Sequence, residues 1–414
     1  MAKVKRAPEP SQPGRHDSSV LAILALLLAG ATALLIHVEW SPEYRQHQKR
    51  FAAQVRQRFG AEAARAVPAG IQQVWVPQRG EANRCVTCHL AISWRGFEGG
   101  AEPLRTHDPA VLRAHPVERF GCTACHGGQG WAVDRARAHG RVPYWDEPLL
   151  DGPSPDGGAG ALRPGDLKQV ACNLCHRYES ETRGADRINA AKRLVDQKGC
   201  RACHRINGRG GLIGPDLDWT GDKNPDQYDY SHVAGRKSAL RWHASHFRDP
   251  RGLVADTVMP NFHLSADEIG SLTLLVLSWR RAPLEGALAG NLPRGDPEPE
   301  EHLRLVAEMA KGPGGWFVRT GCYTCHQVSV FAVKSPTPIG PDLSTAAADV
   351  ERRFSKPIDD FVRNPVGTMR AVFSRQFMLT REQKEEAVRQ LRAAFEQYQA
   401  ARSPSAPQAA PTRK

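Results

Sequence analysis

Apolar residues crowd into one uninterrupted stretch near the N-terminus and elsewhere recur at helical spacing between long polar, Gly- and Pro-rich passages. The stretch is 20–38, VLAILALLLAGATALLIHV, whose only titratable side chain is His37. At 1.5 Å per residue it reaches about 28 Å, close to the ~30 Å hydrocarbon layer of a bilayer, so it predicts one spanning helix. Further on, the segment AAKRLVDQ at 190–197 reads as a helix. Ser265 and Glu268 form a capping-box spacing ahead of an apolar stripe at Ile269, Leu272, Val276 and Trp279. Thr380 and Gln383 repeat that spacing ahead of Ala387, Leu391, Phe395 and Tyr398. The passages 151–165 and 284–299 read as loop and linker, and 399–414 as a disordered tail. The expected class is mainly α with much irregular structure.

Lys3, Lys5, Arg6 and Arg15 precede the apolar run, against Glu9 and Asp17, so the positive-inside rule puts the N-terminus in the cytoplasm and the bulk outside. A cleaved signal peptide is the competing reading, with small residues at Ala29-Gly30-Ala31 or Ala31-Thr32-Ala33. Apolar residues continue past both sites, which favours an uncleaved anchor. A mean hydropathy of −0.48 and 24% charged residues exclude a polytopic membrane protein.

All ten cysteines of the 414 residues fall in five copies of Cys-x-x-Cys-His. They are Cys85/Cys88/His89, Cys122/Cys125/His126, Cys172/Cys175/His176, Cys200/Cys203/His204 and Cys322/Cys325/His326. Two thiols at this spacing reach the two vinyl groups of one porphyrin, while the next imidazole becomes the proximal ligand of its iron. Disulfides or zinc sites do not explain a histidine at the same offset after every pair. Five covalent haem c groups are expected, with haem attachment placing the chain outside the inner membrane. Their propionates offset most of the formal +12 charge, so 56 Lys and Arg against 44 Asp and Glu carry no signal for nucleic acid.

An internal repeat follows. Gly199-Cys200, Gly214-Pro215-Asp216-Leu217, Asp249-Pro250, Met259-Pro260 and the helix from Ser265 are echoed by Gly321-Cys322, Gly340-Pro341-Asp342-Leu343, Asn364-Pro365 and the helix from Thr380. This order resembles class I cytochrome c. The resemblance implies that Pro215 and Pro341 pack against the proximal histidines and that Met259 is the sixth ligand at Cys200/Cys203, with His263 as fallback. The second copy lacks a Met-Pro dipeptide, and its ligand is Met369 in preference to Met378.

No methionine lies between Met1 and Met259. The first three haems therefore draw on His107, His115 and His139 for bis-histidine ligation, in pairings the sequence leaves open. His243 and His246, three apart on one helix, remain for a propionate contact or an alternative ligand. His16, His37, His47, His232 and His302 read as surface or core residues. The run from His115-Pro116 through Phe120-Gly121-Cys122 to His126-Gly-Gly-Gln-Gly130 resembles multihaem cytochromes associated with bacterial cytochrome b and Rieske-type quinol-oxidising complexes.

The expected organisation is a cytoplasmic 1–19, an anchor at 20–38, a helical stalk at 39–73, a trihaem region at 74–190, cytochrome c-like domains at 191–283 and 300–398, and a linker at 284–299 between them. Such a chain carries electrons from a membrane redox partner, a quinol-oxidising complex, to a soluble periplasmic acceptor in a respiratory chain. The alternatives are a haem-based reductase of nitrite, hydroxylamine or peroxide, with the Cys322/Cys325 haem as its open iron, and a small membrane quinol dehydrogenase.

Overall fold

A computed structural model describes residues 15–40, 42–140, 161–281 and 292–402. The expectations for 1–14, 151–160, 284–291 and 403–414 lie outside the described residues. The chain divides into two compact units, Met1–Leu149 and Leu150–Lys414.

The first unit opens with α1 (Arg15–Trp40), long and apolar enough to cross a membrane, with the side chains of 18–38 exposed. Such a helix is either a span or a signal sequence by length and composition. α2 (Glu43–Arg65) buries Tyr44, Gln48, Phe51 and Val55, one face at helical spacing. Gly60 interrupts it at φ +91°. Where a stalk was expected, α2 is part of the fold: Phe51 meets Trp94 edge-on at 5.4 Å and Phe97 at 5.1 Å, in a small core with Val55, Leu90 and Leu104. A two-stranded hairpin, β1 (Val74–Val76) with β2 (Glu81–Asn83), leads into the first Cys-x-x-Cys-His motif. Short helices α3 (Pro109–Ala114), α4 (Val117–Phe120), α5 (Thr123–His126) and α6 (Arg135–Ala138) follow.

In the second unit α7 (Lys168–Cys175), α8 (Asp186–Gln197), α9 (Ala239–Arg248), α10 (Pro250–Leu253) and α11 (Ala266–Ser278) enclose a core of Ile188, Ala191, Val195, Ile206, Leu272, Leu275 and Trp279. Ser265 and Glu268 cap α11 reciprocally, as their spacing predicts. The third motif, at Cys172, was expected beside the first two. Within its own unit it packs on α8 and α11, where Val170 and Cys172 join this core and Asn173 donates to Ser278 Oγ at 2.7 Å.

A second core contains Phe317, Val328, Val333, Ile358, Val362, Val388 and Leu391. It is built by α12 (Glu300–Met309), α13 (Gly315–Arg319), α14 (Ala346–Phe354), α15 (Ile358–Arg363), α16 (Thr368–Arg375) and α17 (Arg381–Arg402). Thr380 and Gln383 exchange backbone bonds at 2.9 and 3.2 Å to start α17, which runs to Arg402, into the segment expected as tail. Its buried face is Ala387, Val388, Leu391 and Ala394, with Phe395 and Tyr398 at the margin. The segment before α12 is pinned: Asp296 takes Arg201 at 2.6 Å and Arg209 at 2.7 Å, and Glu298 takes Arg209 at 2.7 Å.

Candidate haem-attachment sites

None of the ten cysteines forms a disulfide, and no cluster of three or more His, Cys, Asp or Glu fit to cage a metal occurs among the described residues. The five motifs therefore stand as unbridged thiol pairs, each followed by an imidazole.

In the first unit Asn83, at the end of β2 and buried, joins two motifs. Its Oδ1 accepts the backbone N–H groups of Cys122 at 2.7 Å and Thr123 at 3.0 Å. Gly121, at φ +71°, leaves only 3.1 Å to Asn83 for a side-chain carbon, and Gly130 leaves 2.8 Å to the Ala82 carbonyl, so both turns require glycine. Gln48 of α2 donates to the carbonyls of Gly70 at 2.6 Å and Thr87 at 3.2 Å, and Thr87 Oγ1 donates to the Gln72 carbonyl at 2.9 Å. The Cys85 and Cys122 thiols hydrogen-bond to each other, which draws the Cys85 thiol below its ordinary range and, with burial, pushes Cys122 above it. Cys125, the second thiol of the Cys122 motif, is half-buried on α5, and its N–H donates to the Cys122 carbonyl at 3.2 Å. Its nearness adds to the upward shift at Cys122. The first motif therefore engages Cys122 through Cys85, where the sequence pairs Cys122 with Cys125 alone. Burial and Glu43 raise Cys88 to about 11.

The imidazoles here fall into close pairs, one with its planes tilted by 45° and one edge-on at 87°. The ring centres of His89 and His139 are 6.3 Å apart, and those of His107 and His126 are 6.0 Å apart. His139 is placed by the C-terminal end of α6, whose Asp134 caps it by accepting Arg137 N–H at 2.9 Å. His107 Nδ1 lies 3.2 Å from the Asp108 carbonyl and His89 Nδ1 lies 3.6 Å from Glu102. His115, at the end of α3, packs on Phe120 at 5.2 Å with Nδ1 3.3 Å from the Val111 carbonyl.

In the second unit His176 Nδ1 sits 2.7 Å from Glu179. Lys192 donates to the carbonyls of His176 at 2.8 Å and Glu179 at 2.7 Å, and burial brings its pKa down to about 8. The two repeat copies share a backbone scheme. Gly199 and Gly321 precede their cysteines in the left-handed region, at φ +67° and +82°. Gly214 N–H donates to the Cys203 carbonyl at 2.9 Å, and Gly340 N–H to the Cys325 carbonyl at 2.8 Å. His204 Nδ1 lies 2.8 Å from the Pro215 carbonyl and His326 Nδ1 2.7 Å from the Pro341 carbonyl, a bond that fixes the ring and leaves Nε2 for a metal. Burial lowers the pKa of both imidazoles.

Residues 188–279 match the family model for cytochrome c. No curated protein and no solved structure matches the chain. The match makes this segment a cytochrome c domain, a fold that implies covalently bound haem c and haem-based electron transfer at 188–279. It spans Cys200, Cys203, His204, Pro215 and Met259, and the residues fit the group: two thiols in no disulfide, and an imidazole oriented through Nδ1. The glycine before each proline is pressed on the ring. A side-chain carbon at Gly214 would lie 2.4 Å from His204, and one at Gly340 2.3 Å from His326.

Gly340→Ala is therefore expected to displace His326 from Pro341 at a cost of about 1–3 kcal/mol, lowering the denaturant midpoint of the haem-loaded protein. Gly295→Ala, where nothing lies within 4 Å, leaves the midpoint unchanged.

Met259 is half-buried in the loop after α10, and His246 Nε2 approaches its Sδ to 3.1 Å. His243 is spent on the Tyr228 hydroxyl at 3.0 Å, and burial lowers its pKa to about 3. His263 is exposed at φ +50°. Met369 is half-buried on α16, whereas Met378 is 80% exposed. The cytochrome c domain and the second copy meet at their motifs. A side-chain carbon at Gly199 would lie 2.7 Å from Thr337, Arg375 donates to the Ile213 carbonyl at 3.1 Å, and Cys203, after burial, helps raise Cys325 to about 12. Sequence reasoning missed Asn83, Gln48 and Thr87, because a lone polar residue carries no local mark of burial.

Proposed function

We propose that the protein is a membrane-anchored pentahaem cytochrome c that carries electrons from a quinol-oxidising membrane complex to a periplasmic acceptor. Residues 20–38 hold it in the inner membrane with the N-terminus cytoplasmic. The observation that carries this reading is the facing of histidines. Two imidazoles on opposite sides of one metal, at metal–nitrogen distances of about 2 Å, have ring centres about 6 Å apart. His89 with His139 and His126 with His107 have that separation. These residues give the first two haems bis-histidine ligation, and both axial positions are then taken, which favours electron transfer over catalysis.

Bound haem supplies a one-electron iron couple. The chain's own residues set the spacing between couples. The Cys85–Cys122 thiol contact brings the first two attachment sites together, and the Gly199–Thr337 and Arg375–Ile213 contacts do so for the fourth and fifth. Pro215 and Pro341 orient their proximal imidazoles through the carbonyl oxygen. Thioether ligation raises potential relative to imidazole, so the C-terminal sites sit above the N-terminal ones and electrons run away from the anchor. Met369 is the sulfur donor proposed at His326.

Intact-mass measurement of the purified full chain tests the count. Five covalent haem additions are expected, and fewer would remove the unloaded motif from the path. Low-temperature EPR of the oxidised protein should show low-spin haems of bis-histidine and histidine–methionine type. A high-spin signal that responds to nitrite or peroxide would overturn electron transfer as the sole role.

A further inference from the structure

Two donor atoms converge in the cytochrome c domain. His246 lies on α9 and Met259 thirteen residues later in the following loop, yet Nε2 and Sδ are 3.1 Å apart. The His246 ring is stacked on Trp242 at 5.0 Å with the planes 8° apart, so its orientation is held from one side. Its other nitrogen, Nδ1, is buried with no hydrogen-bond partner among the described residues. An imidazole kept for hydrogen bonding satisfies both nitrogens, because a bare buried polar atom costs about 1–3 kcal/mol. This ring has a thioether at one nitrogen, a weak acceptor only, and nothing at the other. His243, one turn earlier, shows the ordinary case: it faces Tyr228 and is a structural residue.

We propose that His246 is a second axial donor at the Cys200/Cys203 site, standing beside Met259 and able to take the sixth position when the thioether is absent. The exchange breaks one sulfur–iron bond and makes one nitrogen–iron bond at Nε2, with no electron transferred. Imidazole holds a haem at lower potential than thioether, so the site has two potentials, selected by which side chain is bound. The inference rests on haem c being held by Cys200 and Cys203.

The test uses the full haem-loaded chain, with attachment to the Cys200–Cys203 peptide first confirmed by mass spectrometry. A peptide without haem would defeat the underlying reading before any ligand question arises. Met259→Leu, which keeps the volume of the side chain, is expected to lose the near-infrared thioether band while this haem stays low-spin with two-nitrogen ligation and titrates at a lower potential. His246→Ala keeps the thioether band. The double variant becomes high-spin and binds carbon monoxide. A high-spin haem in Met259→Leu alone would overturn the proposal, and so would a low-spin haem in the double variant, which would assign the nitrogen to another residue such as His263.

Discussion

Replacing His139 with alanine is expected to convert one haem, that of the Cys85/Cys88 motif, from six-coordinate low-spin to five-coordinate high-spin and to leave the others as they are. The reason is geometric. His139 faces His89 with ring centres 6.3 Å apart, and the C-terminal end of α6 holds it there: Asp134 caps the helix and the Ala138 carbonyl accepts Gln129 N–H at 2.9 Å. Alanine at the same backbone position offers no donor. His107→Ala is expected to act in the same way on the Cys122/Cys125 motif, through its 6.0 Å pairing with His126. His115→Ala serves as the control and is expected to leave both haems low-spin, since the His115 ring packs on Phe120 at 5.2 Å. EPR of each oxidised variant, with the high-spin signal integrated against total haem, gives the answer. An unchanged spectrum for His139→Ala would remove that histidine from the ligand set and reopen the pairing.

Asn83→Ala is expected to loosen the junction between the first two motifs by about 2–4 kcal/mol. Asn83 Oδ1 accepts two backbone N–H groups, from Cys122 and Thr123, in a buried position where water does not replace it freely. Leaving two such donors unmet costs about 1–3 kcal/mol each, less whatever the turn recovers by relaxing. Asn83→Asp keeps the acceptor and is expected to retain most of the stability. Hydrogen exchange reads this directly: protection of the Cys122 and Thr123 amides should fall by about thirtyfold or more in Asn83→Ala, at tenfold for each 1.4 kcal/mol. Undiminished protection would show that the two motifs are held together by other contacts, the Cys85–Cys122 approach among them.

Much of the chemistry is local and could be read from the chain. Cys-x-x-Cys-His is contiguous, so each copy is legible as a haem-attachment candidate from the sequence alone. The apolar run 20–38 declares a helix able to cross a membrane by its own length, and Ser265/Glu268 and Thr380/Gln383 declare helix starts because a capping box closes within four residues. The Gly-Pro-Asp-Leu loops belong in part to this class. Their order is visible in sequence, while the pressing of Gly214 and Gly340 on the proximal rings is not.

The rest depends on approach between residues far apart in the chain. His89 meets His139 and His107 meets His126 only because the hairpin and Asn83 bring the motifs together, and a lone histidine carries no mark of its partner. Cys125 follows Cys122 by local spacing, whereas the approach of Cys85 to Cys122 is a tertiary contact. α7 presents Val170 and Cys172 to the core of α8 and α11, and burial of that apolar face, which the spacing of the third motif does not announce, decides its packing within its unit. His246 shares the helical spacing of His243, yet one is spent on Tyr228 and the other is left beside Met259. Sequence by itself thus determined which thiols and imidazoles are candidates to bind haem covalently and where the apolar N-terminal helix and the capped helices from Ser265 and Thr380 lie, since those properties reside in short contiguous patterns. Tertiary structure alone decided which imidazoles face one another and which attachment sites are neighbours, because hydrophobic burial and long-range hydrogen bonds select those partners from many that local spacing leaves equivalent.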